Sequence, residues 1–565
     1  MSLLNIGVSA LLTSQGSLAT ASNNISNVNT EGYNRQRAEQ VTRSADFQGG
    51  YYIGTGVTIS GVERIYDSFI VSQVRTYTSQ ESQQDTFLSF ARQIDDLLGS
   101  PQLGLDSGLE SFFNAVHEVS NNPTSISARQ VMLTEGEILA NRFNTLDDQL
   151  REFDKQVDNL LAVSVKDINS LSKGIAELNA AIISSGASTT GEQPNDLLDR
   201  RDQLINELSK FTSVNIIPED TGAVTVLVGN GQALVVGTAN IELHEIVDTS
   251  TNPVRVGIGY GSAQVDVSAQ LTGGSIGGAF QARNDVIDSA RTELDALALG
   301  VTNSFNAQHR KGVTLNGTIG GDLFSVPTPP TTVDAGSIRL AITDPRDLAV
   351  AFPVGVTNAD LTTTPATLAS GSGQIEIASI DATPPLALPL LATNITLTFN
   401  TATNQYTATD GVNPAVTISY DPNTDSGKSV SLTAPMTELT LVLSGIPANG
   451  DVITLGNSSA IGDNRNALAL ADLQVAKTLN GGTQSFADSY SVTVANVATR
   501  TRQADIGQKT QQGLLDQVNL RRESLSGVNL DEEAANLIRY QQSYQAASQI
   551  ITVSNTVFQS LLNAL

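Results

Sequence analysis

The 565-residue sequence predicts an α+β, multidomain fold: long terminal helices forming a coiled-coil layer, a mixed helical and β central domain, and an inserted all-β outer lobe. Three observations lead there. Each end of the chain carries a seven-residue apolar repeat, long stretches between the ends have helical spacing, and one internal stretch changes composition and loses that spacing.

At the N-terminus, Leu4, Leu11, Leu18 and Ile25 lie seven apart, with Gly7, Ser14, Ala21 and Val28 three residues on. Large residues on one seam and small ones on the other allow a second helix to approach closely. Gly32 offers the helix a stop. The polar face holds Asn23, Asn24, Asn27 and Asn29, whose amides compete for backbone hydrogen bonds and weaken the helix in isolation. Asp67 to Leu98 reads as a polar helix. Ala128 to Ser184 reads as a long helix with one break, carrying Leu150, Phe153, Val157, Leu161, Ile168, Leu171, Ile175, Leu178 and Ile182 at helical spacing. "DLLDRRDQLINELSKF" is a short amphipathic helix, and "GAVTVLVGNGQALVVG" two strands turning at "GNG". Helix returns from Asp285 to Phe305. From Ile342 to Thr454, Thr, Ala, Pro and Gly rise and strands such as "NITLTFN", "AVTISY" and "ELTLVLSG" replace helices. Helix resumes near Asn464. The last helix carries Leu530, Leu537, Tyr544, Ile551, Phe558 and Leu565 on one seven-residue series, and Tyr540, Ala547, Ser554 and Leu561 on its companion. Asn529 caps its start, where the acidic run Asp531 to Glu533 suits the positive helix end.

These readings divide the chain into an N-terminal helix and connector (1–60), a helical and mixed core (61–341), an inserted all-β outer domain (342–454), a returning helical part of the core (455–525) and a C-terminal helix (526–565). The terminal helices, a single pair with an Asn-rich face, are expected to gain order from neighbouring copies, whose helices would bury the amides and fix register.

The net charge of -26 argues against nucleic acid or an anionic membrane as partner. The absence of Cys excludes disulfides, thiolate metal sites and thiol nucleophiles. No apolar run is long enough to span a membrane, and "MSLLNIGVSALLTSQGS" has no basic start and an interrupted apolar stretch, so no cleaved secretion signal is expected. Catalytic groupings are scarce. His117, His244 and His309 have no second His at helical spacing and read as surface or packing residues. Asp196, Asp199 and Asp202 share a helix with Arg200 and Arg201 and read as intrahelical ion pairs. "DPNTDSG" lacks the closing Glu of a calcium loop and reads as a turn. Asp360, Glu376, Asp381 and Asp410 are scattered over the β segment without forming an acidic pair. No enzyme activity, metal or cofactor is expected.

The stretch "SNNISNVNTEGYNRQR", Ser22 to Arg37, resembles the N-terminal signature of the axial proteins of the bacterial flagellum, the rod, hook and hook-associated proteins. "SGVNLDEEAANLIRYQQSYQAASQIITVSNTVFQSLL" resembles the C-terminal signature of the same family. "NDLLDRRDQLINELSKF", "FNAQHRKGVTLNGTIGGDLF" and "GIPANGDVITLGNSSAIGDNRNALALADLQ" are similar to the hook-associated branch that joins hook to filament. The resemblance implies a structural adaptor, secreted through the flagellar type III apparatus and placed in the extracellular flagellum at the hook–filament junction. It implies as partners the hook protein, the third hook-associated protein, copies of the chain itself in a ring, and an export chaperone on the C-terminal helix. The assembly interface is then expected on Leu4, Leu11, Leu18, Ile25, Asn23, Asn24, Asn27, Asn29, Gly32, Tyr33, Leu530, Leu537, Tyr540, Tyr544, Ile551, Phe558 and Leu565. Hook or filament subunits of the same family are the alternative, and an adhesin-like or muralytic flagellar protein a more distant one.

Overall fold

A computed structural model describes residues 3–48, 51–186, 193–248, 255–325, 333–357, 359–360, 367–368, 371–380, 389–432, 439–458 and 462–564. Leu565 and Asp381 lie outside the described residues. The fold is α+β and multidomain. Its helices are α1 (Leu3–Ser26), α2 (Ser68–Leu98), α3 (Leu105–Asn121), α4 (Ile126–Ser184), α5 (Asn195–Ser209), α6 (Gly274–Ala282), α7 (Asp288–His309), α8 (Arg465–Asp472), α9 (Phe486–Ser526) and α10 (Leu530–Ala564). A single π-helical turn, Arg283–Ile287, separates α6 from α7. The paired strands among the described residues are antiparallel. The break expected inside the long helix is absent: α4 runs unbroken for 59 residues. No Pro interrupts that stretch, so nothing in it removes a backbone donor.

The chain divides into two compact units. The first comprises residues 1–93, 152–287 and 499–565, and the second residues 94–151 and 288–498.

In the first unit, the hairpin Gln36–Thr42/Val57–Arg64 lies along α1, and α10 packs on another side of the same helix. The terminal pair therefore has a third layer that the repeat pattern did not reveal. Ile70 and Val74 of α2 meet Val518 of α9 in a second helix contact. Val157, Leu161, Ile168 and Ile175 of α4 are fully buried, as the spacing predicts. A four-stranded sheet contains the expected hairpin, Val224–Val228 with Gln232–Val236. Its "GNG" turn needs two glycines, because Gly229 and Gly231 take φ of +55° and +107°. Asp154 is buried and binds Arg255 at 3.0 Å and Arg283 at 2.7 Å.

The second unit is centred on packed aromatic rings of Phe112, Phe113, Phe305, Phe324 and Phe486, with centroids 5.1–6.3 Å apart. Burying rings of this size supplies a large share of the core's hydrophobic stabilisation. The β segment contributes a five-stranded and a three-stranded sheet, whose apolar faces share a core that includes Leu397, Phe399, Tyr406, Tyr420, Leu441 and Leu455. Strands Ile395–Asn400 and Leu439–Ser444 alternate buried and half-buried residues, the period-2 signature of strands with one face on a core. The Ser458 amide donates to the Pro353 carbonyl at 2.8 Å, so the chain enters and leaves this segment at adjacent points.

Candidate assembly interface

The buried residues of α1 are Gly7, Ser9, Thr13, Ser14, Ser17, Thr20, Ala21 and Asn24, all small or polar. Their hydroxyls bond back into the helix, Ser14 Oγ to the Ala10 carbonyl at 2.8 Å and Ser17 Oγ to Thr13 at 2.9 Å. Buried polar atoms satisfied in this way cost little, and their small size lets two elements approach. A Cβ on Gly7 would stand 2.9 Å from Ile551 Cγ1 of α10, and one on Gly16 2.4 Å from Ile59 Cδ1 of the hairpin. The large anchors Leu4, Leu11, Leu18 and Ile25 are half-buried.

The connector after α1 ties the two ends of the chain together. Asn24 Oδ1 accepts from the Tyr33 hydroxyl at 2.7 Å and the Gln36 amide at 2.9 Å. Its Nδ2 donates to the Gln36 carbonyl at 2.9 Å and to Glu533 Oε2 at 3.2 Å. All the bonding capacity of one buried amide is thus used inside the subunit. Asn24 therefore reaches satisfaction without a neighbour, whereas Asn23 and Asn29 are exposed and Asn27 is half-buried. Asn23 Nδ2 reaches only the Tyr33 hydroxyl, at 3.4 Å, and Asn27 Nδ2 donates to Asn23 Oδ1 at 2.9 Å. Burial, with the Asp199 and Glu533 carboxylates nearby, pushes the Tyr33 hydroxyl up to about 12, so it stays a donor at any physiological pH.

Arg35 completes the tie. Its Nε donates to Glu533 Oε1 at 2.8 Å and its Nη1 to Glu532 Oε2 at 2.7 Å, while its amide donates to the Ser526 carbonyl at 2.9 Å. The Glu533 side chain is 3% exposed, and Arg35 is the cation paired with it. At the start of α10 the Asn529 side chain accepts from the Asp531 amide at 2.9 Å, the expected cap.

One residue before Arg35, Asn34 donates to Asp199 of α5 through its side chain at 2.6 Å and its amide at 3.1 Å. Arg64 Nη1 bonds Asp199 at 3.0 Å and Asp202 at 2.7 Å, and its guanidinium lies 4.3 Å from the Tyr66 ring. The intrahelical pairing expected for Asp199 and Asp202 is thus replaced by pairing across elements. Arg201 turns away to Asn179 Oδ1 at 3.1 Å and the Gly222 carbonyl at 2.8 Å. Burial raises the Asp199 carboxyl above its ordinary range, against the opposing bonds from Asn34 and Arg64. Gly32 takes a φ of +81° and packs on Gln203 of α5, but α1 already ends at Ser26, so Gly32 serves a turn in the connector and is not the helix stop its position suggested.

On α10, Leu537, Tyr540 and Ile551 are half-buried and Ala547 is buried, on the side facing α1. Leu530, Tyr544 and Phe558 are exposed, Phe558 by 62%. Ile538, Val553, Val557 and Leu562 are exposed as well, as are Leu3 and Leu12 on α1. Apolar side chains open to water on two adjoining helices make a surface suited to association.

Sequence reasoning did not select Arg35, Gln36, Arg64 or Glu533. Glu533 stands one heptad before Tyr540, an acid at a seam position otherwise taken by Tyr540, Ala547 and Ser554. That displaced charge was the available signal for a buried pair.

Among the described residues no group of three His, Cys, Asp or Glu could hold a metal ion, and no helix is long and apolar enough to cross a membrane. His117 Nε2 lies 3.1 Å from Gln474 Oε1 at the surface. His309 is fully buried, its Nδ1 2.8 Å from the Gly321 carbonyl and its Nε2 accepting from the Ala349 amide at 2.8 Å.

Comparison with known proteins finds three family models on the chain. Residues 91–324 match the helical domain of the flagellar hook-associated protein FlgK, residues 4–34 the flagella basal body rod protein, and residues 523–564 the C-terminal region of the flagellar basal body rod FlgEFG proteins. The last two matches fall on the elements that Asn24 and Arg35 tie together. The chain is 32% identical over 573 residues to Flagellar hook-associated protein 1 of Escherichia coli (strain K12), covering 100% of this chain and 99% of that protein. The protein of the same name from Bacillus subtilis (strain 168) is 26% identical over 593 residues, covering 98% of this chain and 96% of that one. The solved structure of the flagellar hook junction protein FlgK from Burkholderia pseudomallei superposes with a TM-score of 0.69 at 25% identity, covering 80% of this chain and 100% of that one.

Proposed function

The chain belongs to the flagellar hook-associated protein 1 family, and on that premise we propose that it is a structural joint between the hook and the filament of a bacterial flagellum. The observation that carries the reading is similarity from end to end: 32% identity over 100% of the chain and 99% of the relative from Escherichia coli. The match of residues 91–324 to the FlgK helical domain favours the junction over hook or rod subunits, with which the chain shares its terminal signatures.

In this reading α1 and α10 form the assembly layer. The exposed side chains Leu530, Tyr544 and Phe558, with the half-buried Leu4, Leu11, Leu18 and Ile25, meet the helices of surrounding subunits. The exposed amides of Asn23 and Asn29 bond across copies, whereas Asn24, Gly32 and Tyr33 hold the layer to its own subunit. The partners are the hook protein, the third hook-associated protein and copies of the chain in a ring. An export chaperone covers the exposed stripe of α10 before secretion through the type III route. The work is mechanical, with no reaction catalysed, and its place is the extracellular flagellum.

Deletion of residues 530–565 tests the reading. Cells lacking their own copy of the protein are expected to regain motility with the full chain and to remain non-motile with the truncated one. The truncated chain should still show a cooperative unfolding transition from its second unit. A motile flagellum built with the truncated chain would sink the proposal.

A further inference from the structure

The hairpin beside α1 ends in a short ribbon, Asp46–Gln48 paired with Tyr51–Ile53. At this tip the rings of Phe47 and Tyr52 lean on one another with centroids 5.1 Å apart, yet stand 59% and 75% exposed. Val41 and Ile53 in the same hairpin are exposed too, and so is Arg43, just past the strand Gln36–Thr42 on the way to the tip. Two aromatic rings fixed against each other in water form the rigid amphipathic surface that interfaces favour.

The hairpin runs along α1 with a defined polarity. At its root, Gln36 bonds Asn24. Further out, Gln40 donates to Ser17 Oγ at 3.0 Å, Thr13 Oγ1 donates to the Val57 carbonyl at 3.4 Å, and Gly56 abuts Ser9. The tip therefore lies toward the Ser9 end of α1. The first turn of α10 lies toward the other end, where Glu533 meets Asn24. At 1.5 Å rise per residue, Ser9 and Asn24 stand about 22 Å apart along the helix. A tip cannot touch the first turn of its own α10.

That first turn carries a surface of matching chemistry. Leu530, Ala534 and Ile538 are exposed and share one face at i, i+4 and i+8, with the exposed carboxylate of Asp531 at its edge. It offers an apolar strip and an anion to a tip that offers two rings and a cation.

We propose that the Phe47–Tyr52 tip of one copy docks on the first turn of α10 of a second copy, displaced along the helix axis by at least about 22 Å. The rings cover Leu530, Ala534 and Ile538, and Arg43 faces Asp531. The contact is heterologous, tip on one side and helix turn on the other, so it passes from copy to copy instead of closing a dimer. It rests on the reading of the chain as a self-assembling joint.

The test replaces Tyr52 with the photoreactive residue p-benzoylphenylalanine in the full-length chain. The protein is assembled into flagella of cells lacking their own copy, and the flagella are irradiated. The expected product has twice the mass of the chain, with the crosslink in the peptide containing Leu530 to Ile538. A crosslink to a hook or filament protein, a crosslink to another stretch of the second copy, or no crosslink in motile cells overturns the contact. A charge exchange gives an independent arm: Arg43→Glu is expected to lose motility and Asp531→Arg in the same chain to restore it, and lack of restoration counts against the pairing. If the unsubstituted chain fails to restore motility, the junction reading falls first; motile cells without the crosslink remove the tip contact alone.

Discussion

Asn24 and Glu533 stand 509 positions apart in the sequence and meet at 3.2 Å inside one subunit. Their bond, with those of Asn24 to Tyr33 and Gln36, makes a single amide the pin that joins both ends of the chain. Asn24→Leu keeps the volume but leaves the Gln36 backbone and the Tyr33 hydroxyl without their partner. Unpaired buried groups cost about 1–3 kcal/mol each, so the urea midpoint of the first unit should fall by several times the change caused by Asn23→Ala, whose side chain is exposed. Equal effects from the two variants would contradict the pin.

Arg35 and Glu533 give a second prediction. Removing only the cation leaves a buried carboxylate uncompensated, which costs about 3–5 kcal/mol. Arg35→Met should therefore be strongly destabilising, and Glu533→Gln added to Arg35→Met should recover much of the loss. A double variant as unstable as the sum of the two singles would show that the pair is not coupled.

Gly7 sets the spacing of the two terminal helices. A Cβ there would press Ile551 Cγ1 at 2.9 Å and Ile550 Cγ2 at 3.2 Å. Gly7→Val is expected to cost about 1–3 kcal/mol through overpacking and to expose α10 to protease. Ile551→Ala in the same chain makes room and should restore protection. Persistent cleavage in the double variant would locate the defect elsewhere.

His309 is expected to make the second unit acid-sensitive. Burial holds its imidazole below the ordinary value, with Arg129 acting in the same direction and the Gly321 bond and Asp322 opposing it. The folded state thus binds fewer protons than the unfolded one below the ordinary value. Stability is complete above about pH 6.5 and is lost as pH falls below it, with a limiting slope of about 1.4 kcal/mol per pH unit for one proton. Denaturant midpoints between pH 7.5 and pH 5 should show this slope, at pH values the experimenter sets. His309→Gln, which can bond the same Gly321 carbonyl and Ala349 amide, should flatten it; an unchanged slope would assign the protons to other groups.

The β segment is predicted to be a removable insertion. Apart from Phe352 its core lies within residues 354–457, and Pro353 and Ser458 are bonded neighbours where the chain enters and leaves. Replacing residues 354–457 with a short glycine linker should preserve the helical circular dichroism per remaining residue and the cooperative unfolding of the rest. Collapse of the helical signal would make the segment part of the core.

The long helices, the "GNG" hairpin and the β segment were legible because each repeats a local period over many residues. The break expected in α4 does not occur, and no Pro is present in the stretch to cause one. Pairing between distant elements left no period to follow. Nothing in the spacing of Asp199 and Asp202 points to Arg64, more than a hundred residues earlier, and the nearby Arg200 and Arg201 offered a plausible local answer instead. The hairpin beside α1 was missed for a related reason: its strands Gln36–Thr42 and Val57–Arg64 are largely polar and half-exposed, so apolar alternation is weak. The anchors of α1 were legible as a repeat, but burial falls more fully on the small residues between them, since two other elements close on that helix at once.

The clasp at Asn24 and Arg35 also imposes an order of events on synthesis. Asn24 leaves the ribosome 509 residues before Glu533, so α1 waits without its longest packing partner while everything between them is made. The intervening segments can collapse meanwhile, but the fastening closes only once the first turn of α10 has emerged.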